Sequence, residues 1–163
     1  MSTPAAGFAA DTYLVGSSVP VPLGLLKATS KYRCRFTVTK TAAGVATPIV
    51  TVRFGTAGST ADAARCTLTF AAQTAAVDEG MFEVEVVFRT VGAGTTAVLQ
   101  AVGVLFHRLS ITGLSVDVTG VKFSTSAGFD STVAASIIGL SVNGGASAAW
   151  TVAVVSAELV GLT

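Results

Sequence analysis

The sequence predicts an all-β protein: an antiparallel β-sandwich with a jelly-roll topology of about eight strands and an extended N-terminal arm. From residue 31 onward, apolar and polar residues alternate with a period of two, the pattern of half-buried strands. Stretches rich in Gly, Ser and Thr separate these segments. Hydrophobic residues make up 51% of the chain and aromatic residues only 7%, so the apolar character comes mainly from Ala and Val. Branched side chains such as Val suit sheets.

Residues 1–30 are predicted to form the arm, and residues 31–163 the jelly-roll domain. Within the arm, Pro20 and Pro22 cannot donate to a strand ladder, which favours an extended or edge conformation. We expect this docking arm to lie along a surface of its own chain or of a neighbour. Its apolar anchors are Phe8, Tyr13, Leu14, Leu23, Leu25 and Leu26.

The strands of the domain follow from the alternation and the breaks in it. The predicted strands cover residues 31–39, 47–54, 65–70, 82–89, 96–109, 114–123, 133–142 and 149–159. Residues 61–64 are compatible with one helical turn, and Asn143-Gly144-Gly145 indicates a hairpin between the last two strands. Residues 92–97 have the glycine spacing of a dinucleotide-binding loop, but a strand-like segment follows where that motif needs a helix, so a turn is predicted.

Two predicted strands carry opposite charges on their polar faces. Arg33 and Arg35 alternate with apolar residues on one strand, and Glu83 and Glu85 do so on another. We expect these side chains to pair across neighbouring strands, which contributes about 0.2–1 kcal/mol per exposed pair and mainly sets the register. The two glutamates also lie roughly 7 Å apart on one face, a separation that loosely overlaps with glycosidase carboxylates. A solvent-exposed surface is the preferred interpretation.

The sequence offers little material for catalysis. The single histidine, His107, lies in an apolar strand and is expected to be a partly buried, hydrogen-bonded ring. Cys34 and Cys66 are expected to be buried free thiols; a disulfide would require their strands to lie side by side. No catalytic, cofactor-binding or metal-binding residue is predicted. We therefore do not expect an enzyme.

The charge content is unusually low. Charged residues make up 12% of the chain, against about 25% in an ordinary soluble domain. We expect part of the surface to be covered by other protein chains. The net charge is +1 without a run of like charges, so no nucleic acid is predicted as a partner. No run of eighteen apolar residues and no signal peptide is visible, so no membrane partner is predicted.

A resemblance to a known class of proteins is carried by six separated strings that occur in order. They are AADTYL (9–14), YRCRF (32–36), TKTAAGVATP (39–48), RFGTAGSTAD (53–62), QTAAVD (73–78) and NGGASAAWTV (143–152). These strings resemble a jelly-roll module of tailed-phage structural proteins, over about residues 9 to 159. Such modules occur at the tips of tail fibres and as separate proteins that decorate or cement capsids.

The resemblance implies a virion protein that is assembled in the host cytoplasm. It implies a homotrimer that binds the major capsid protein or another virion protein and stabilises the shell. The chain shows no fibre shaft or tail adaptor, which favours capsid decoration. The alternative is a receptor-binding module of a tail fibre or tail tip.

Overall fold

The computed structural model describes residues 5–145 and 147–162, and within these ranges every regular element is a β-strand. The strands are β1 (Ala5–Gly7), β2 (Thr12–Tyr13), β3 (Val19–Pro20), β4 (Lys31–Lys40), β5 (Ile49–Gly55), β6 (Ala63–Thr69), β7 (Asp78–Thr90), β8 (Val98–His107), β9 (Val121–Thr125), β10 (Ile137–Asn143) and β11 (Trp150–Val160). Among the described residues, no helix is long and apolar enough to cross a membrane. The all-β prediction is confirmed.

The strands form two antiparallel sheets that enclose one core. The six-stranded sheet has the order β1-β11-β4-β7-β8-β9. The five-stranded sheet has the order β2-β10-β5-β6, with β3 also paired to β10. This confirms the β-sandwich. A jelly roll distributes eight strands over two Greek keys, whereas β7, β8 and β9 follow one another as a meander in one sheet, so the jelly-roll topology is not confirmed.

The alternation in the sequence determines which side of each strand is buried. Every second side chain from Tyr32 to Lys40 in β4 is buried, and so is every second side chain from Phe82 to Phe88 in β7. The register pairs these faces residue by residue, with Phe36 opposite Phe82. Both sets of side chains point into the core between the sheets.

An aromatic cluster occupies one part of this core. The ring centroid of Phe82 lies 5.0 Å from that of Phe36, 5.1 Å from Phe70 and 5.5 Å from Trp150. These distances are those of favourable aromatic pairs. Fully burying a phenylalanine contributes about 1.5–3 kcal/mol, so the few aromatic residues of this chain supply a large share of its core.

Different segments lie along the two sides of the sandwich. On one side β1 pairs with β11, and β2 and β3 pair with β10. On the opposite side the edge strands β6 and β9 meet, and the Thr67 N–H donates to Ser124 Oγ at 3.2 Å. We call these the arm side (residues 5–30 with β11) and the hairpin side (β6 with residues 98–125).

The predicted strand over residues 114–123 is wrong in its first part, because only β9 is formed there. The Leu114 N–H donates to Asp78 Oδ2 at 3.0 Å, and the Val116 N–H donates to a carbonyl of the loop before β7 at 3.0 Å. The backbone N–H groups that a strand ladder would need are therefore already bonded to Asp78 and to the loop before β7. Gly113 precedes them with φ +80°, and a Cβ there would collide with the Asp78 carboxylate.

Three smaller predictions also need correction. The helical turn at 61–64 is absent, because Ala63 already begins β6. The strand predicted from residue 133 begins at Ile137, after Ala135 adopts φ +57°. The predicted hairpin at 143–145 joins β10 and β11, which belong to different sheets, so this turn crosses the sandwich.

Candidate interaction surfaces

The charge pairing predicted from the sequence lies on the outer face of the six-stranded sheet. The register of β4 and β7 places Arg33 opposite Glu85 and Arg35 opposite Glu83. Arg33 Nε lies 2.8 Å from Glu85 Oε2, and Arg35 Nε lies 2.8 Å from Glu83 Oε1. Lys31 Nζ adds a third contact, 3.0 Å from Glu85 Oε1. The structure thus brings all four predicted residues together as neutralised pairs.

These pairs border a shallow concavity of about 660 Å³ on the same face. Hydrogen bonds from Lys31 and then Arg33 lower the pKa of Glu85. A general acid or base works best with a pKa near the working pH. The pKa of Glu85 is lowered, which moves it further from neutral pH. The ion pairs therefore favour a structural role for Glu83 and Glu85 over catalysis.

His107 is a buried, hydrogen-bonded ring, which confirms the prediction. Its Nδ1 lies 2.7 Å from Asp78 Oδ2, and its side chain is 4% exposed. Asp78 also accepts hydrogen bonds from the backbone N–H groups of Leu114 and Glu79. Burial alone would raise the pKa of Asp78, but the hydrogen bonds from Leu114, His107 and Glu79 outweigh it and lower the pKa. The pair fastens the β8–β9 connection to β7.

Lys40 is a buried cation that the sequence analysis did not single out. Its Nζ donates to the carbonyls of Thr41, Thr74 and Ala76 at 2.9, 2.7 and 3.1 Å. Burial lowers the pKa of Lys40, against the opposing effect of Asp78. The position of Lys40 could have indicated that it is buried, because Lys40 continues the inward-facing series of alternate side chains in β4.

Gln73 forms a second buried polar contact at the same end of the sandwich. Its Oε1 accepts from Trp150 Nε1 at 2.7 Å, and its Nε2 donates to the carbonyls of Ala46 and Gly144 at 2.8 and 2.6 Å. One amide therefore joins three loops and satisfies the indole donor that burial of Trp150 would otherwise leave unpaired.

The glycine-containing loop after β5 is closed by a carboxylate of the chain itself. Asp62 accepts hydrogen bonds from the backbone N–H groups of Ala57, Gly58 and Ser59 at 2.8, 2.8 and 3.3 Å. Successive backbone N–H groups of this kind make anion-binding concavities. Here Asp62 already fills the position that a phosphate would take.

Cys34 and Cys66 are both buried and free, on strands of different sheets. Burial raises the pKa of the Cys34 thiol to about 11. A thiol with so high a pKa carries little thiolate near neutral pH and is unreactive. Within residues 5–145 and 147–162, no three His, Cys, Asp or Glu side chains are grouped so that they could hold a metal ion.

The described part of the predicted docking arm lies along its own chain. Phe8 and Leu14 are buried in the core, and Leu26 packs against it. Tyr13 is half-buried, and its hydroxyl accepts a hydrogen bond from Ser18. Leu23 and Leu25 are exposed. The buried anchors fill the open side of this chain's own sandwich, which is one of the two placements expected for the arm. Residues 1–4 of the arm lie outside the described residues.

Large apolar side chains remain exposed on the described surface. They are Val15, Leu23, Leu25, Val45, Val77, Phe106, Ile111, Val116, Val118, Phe123, Val133 and Val154. Single exposed apolar side chains are ordinary, but groups of them indicate contact surfaces. Phe106 and Phe123 are 53% and 71% exposed, although phenylalanines are usually buried.

Comparison with known proteins gives no family. No family model matches the chain, and no curated protein matches it. A solved structure described as "Structure of infectious bursal disease virus Gx strain" is similar at 15% sequence identity and a TM-score of 0.21, over 99% of this chain and 43% of that chain. The chain thus spans less than half of that chain. A TM-score this low supports no inference about topology or function.

Proposed function

We propose that this chain is a structural protein of a tailed-phage virion, of the capsid decoration or cement type. It self-associates as a homotrimer and binds the major capsid protein or another virion protein. In this role it stabilises the shell against the pressure of the packaged DNA. Its place of action is the virion, after assembly in the host cytoplasm.

The observation that carries the proposal is the combination of exposed apolar side chains with scarce charge. Twelve large apolar side chains are exposed among the residues that the structure describes, while only 12% of the residues are charged. Obligate protein interfaces are more apolar than ordinary surfaces and are depleted of charge at their centre. Exposed apolar side chains and scarce charge support a protein that binds other protein chains. The strings that resemble phage structural proteins support the virion as the place of that binding.

The receptor-binding alternative has less support. Binding of a host sugar or protein on loop tips commonly uses exposed aromatic rings. Trp150, the single tryptophan, is 1% exposed and bonded to Gln73. The exposed rings of Phe106 and Phe123 belong to strands β8 and β9.

Counting copies per particle tests the proposal. Purified phage particles that carry this chain would be digested, and the chain quantified against the major capsid protein with isotope-labelled peptides. Decoration of the shell predicts a copy number comparable to that of the major capsid protein, because each docked trimer contributes three chains. A handful of copies would place the chain in the tail and contradict the proposal. A known tail protein quantified in the same particles serves as the reference for a low copy number.

The stabilising role needs a separate measurement. Particles assembled without the chain should release their DNA at a lower temperature than complete particles, and adding the purified chain back should restore the difference. Equal release temperatures would contradict the cement function even if the chain is abundant on the shell.

A further inference from the structure

The outer face of the six-stranded sheet is one continuous surface, because the strand register aligns the outward side chains of β9, β8, β7, β4 and β11 in rows. The rows are Phe106, Met81, Thr37 and Ala153; Val121, Val104, Glu83, Arg35 and Ser156; Phe123, Val102, Glu85, Arg33 and Glu158; and Thr125, Gln100, Val87, Lys31 and Val160. Neighbours in a row lie about 4.8 Å apart. We call this surface the outer face.

The half of the outer face on β8 and β9 is apolar. Its row partners include Phe123 opposite Val102 and Phe106 opposite Met81. The chain has nine phenylalanines. Seven of them are buried, and the two exposed ones, Phe106 and Phe123, both lie in this half. Exposed phenylalanines that register brings onto one sheet face indicate a contact surface.

The other half of the outer face carries charges that neutralise one another. Besides the pairs of Arg35 with Glu83 and of Lys31 and Arg33 with Glu85, Arg33 Nη1 lies 3.8 Å from Glu158 Oε1. Three cations and three carboxylates therefore cancel on this face. A polyanion or a strongly charged peptide would gain little here, whereas an uncharged partner surface is complementary.

The shape of the outer face is concave. Besides the concavity of about 660 Å³ beside Val102 and Val104, a second one of about 520 Å³ is lined by Met81, Phe106 and Thr37. Both lie between the apolar half and the polar half. A raised segment of a partner, with apolar side chains, fits these hollows.

The outer face of the five-stranded sheet is different in chemistry. Its outward positions on β10, β5 and β6 are mostly small or polar: Gly139, Ser141, Thr51, Arg53, Thr67 and Thr69. The chain's own arm lies over part of it, because Asp11 pairs with Arg53 and a Cβ at Gly139 would collide with the Tyr13 hydroxyl. The two faces of the sandwich are therefore not equivalent.

We infer that the outer face is the surface by which this chain docks on its virion partner, and that the partner contributes a raised, apolar segment without net charge. The inference rests on the proposed function and assigns the docking surface and the chemistry of the contact.

A second copy of the chain is a poorer occupant. If the outer face packed on the same face of another copy, the contact would close a two-fold pair and leave no site for a third copy. The outer face of the five-stranded sheet, being mostly polar, is not a matching apolar counterpart. A different protein therefore fits the outer face better.

The area of the outer face is sufficient for docking. Four rows at roughly 6.8 Å and five strands at roughly 4.8 Å give about 27 by 24 Å, on the order of 600 Å². Standard protein interfaces cover roughly 600–1,000 Å² per partner. In the proposed homotrimer, three such faces bind together, and multivalency strengthens the attachment.

Co-sedimentation with particles assembled without the chain tests the inference. The particles are titrated with purified full chain and pelleted, and the concentration at half-saturation is measured. The variant Phe106→Glu with Phe123→Glu charges the apolar half. The matched control, Thr67→Glu with Thr69→Glu, adds the same charge at exposed positions of the five-stranded sheet. Light scattering gives the oligomeric mass, and circular dichroism melting verifies folding.

We expect the outer-face variant to need roughly a hundredfold more protein for half-saturation, because two charges would be buried in an apolar contact. It should keep the oligomeric mass of the unmodified chain, and the control should bind like the unmodified chain. Unchanged binding of the outer-face variant, or equal weakening by the control, would overturn the inference and leave the proposed function standing. Loss of oligomeric mass would make the face a contact between copies and also overturn it. If the unmodified chain does not bind the particles, the proposed function itself fails.

Hydroxyl-radical footprinting of the unmodified chain provides a test that needs no variant. Oxidation of Met81, Phe106 and Phe123 is compared between the free chain and the chain bound to particles. Docking through the outer face predicts that binding protects all three side chains. Equal oxidation in both states would show that another surface docks.

Discussion

Three buried polar side chains, Lys40, Gln73 and Asp78, hold the loops at one end of the sandwich. A buried polar group is costly unless it is hydrogen-bonded, and each of the three bonds to several partners. Strand parity was an available signal for the inward position of Lys40, although the sequence analysis did not use it. It does not predict the acceptors, because they are carbonyls of loops whose conformation depends on the assembled fold.

Replacing Asp78 tests the largest of these contacts. Asp78→Asn should lower the free energy of unfolding by about 2–4 kcal/mol at neutral pH, because the amide loses the charge and one acceptor while three donors stay buried. Glu158→Gln, at an exposed carboxylate, should change it by less than about 0.5 kcal/mol. Urea unfolding midpoints measure both.

The pH dependence of the same variant has a definite sign. The folded-state pKa of Asp78 is lowered, so its contribution is present above its unfolded pKa of about 3.9 and is lost as the pH falls through the folded pKa. The difference between the unmodified chain and Asp78→Asn should therefore narrow below about pH 4. A difference that stays constant into this acid range would contradict the lowered pKa.

Two lysines of the same strand provide a second comparison. Lys40→Met leaves three loop carbonyls without their donor and should cost about 1–3 kcal/mol of stability. Lys31→Met removes an exposed ion pair with Glu85 and should cost less than about 1 kcal/mol. Chemical denaturation of both variants measures the contrast, and equal losses would show that Lys40 is not a structural cation.

At the scale of the elements, alternation predicts the long strands well and the connections poorly. The inward and outward faces of β4 and β7 match the sequence pattern along their length. Residues 114–120 also alternate, yet they form a loop because Asp78 and the preceding loop take their N–H groups. Apolar and polar residues do not alternate regularly in the arm. Its sequence therefore did not distinguish Leu14, which is buried, from Leu25, which is exposed.

The arm anchors can be compared by truncation. Leu14→Ala should lower the free energy of unfolding by about 2–5 kcal/mol, because Leu14 is fully buried in the core. Leu23→Ala, in the exposed part of the arm, should change it by less than about 0.5 kcal/mol. Thermal and urea unfolding decide the point; similar small effects for both would mean that the arm is not part of the folded core.

At the scale of the whole molecule, composition and periodicity predict the β-sandwich, and the structure confirms it. The pairing of Arg33 and Arg35 with Glu83 and Glu85 could be anticipated because all four lie on outward positions of regular strands. The segments that lie along the two sides of the sandwich could not, since they depend on which strands end each sheet. That order is a long-range property, and the local pattern of residues does not contain it.

The central claim is that a surface with few charges and many exposed large apolar side chains is covered by other copies of the chain. Sedimentation equilibrium of the purified full chain over a range of micromolar concentrations tests it most directly. The account predicts a mass three times the 16.3 kDa of one chain. A mass of 16.3 kDa at every concentration would contradict it.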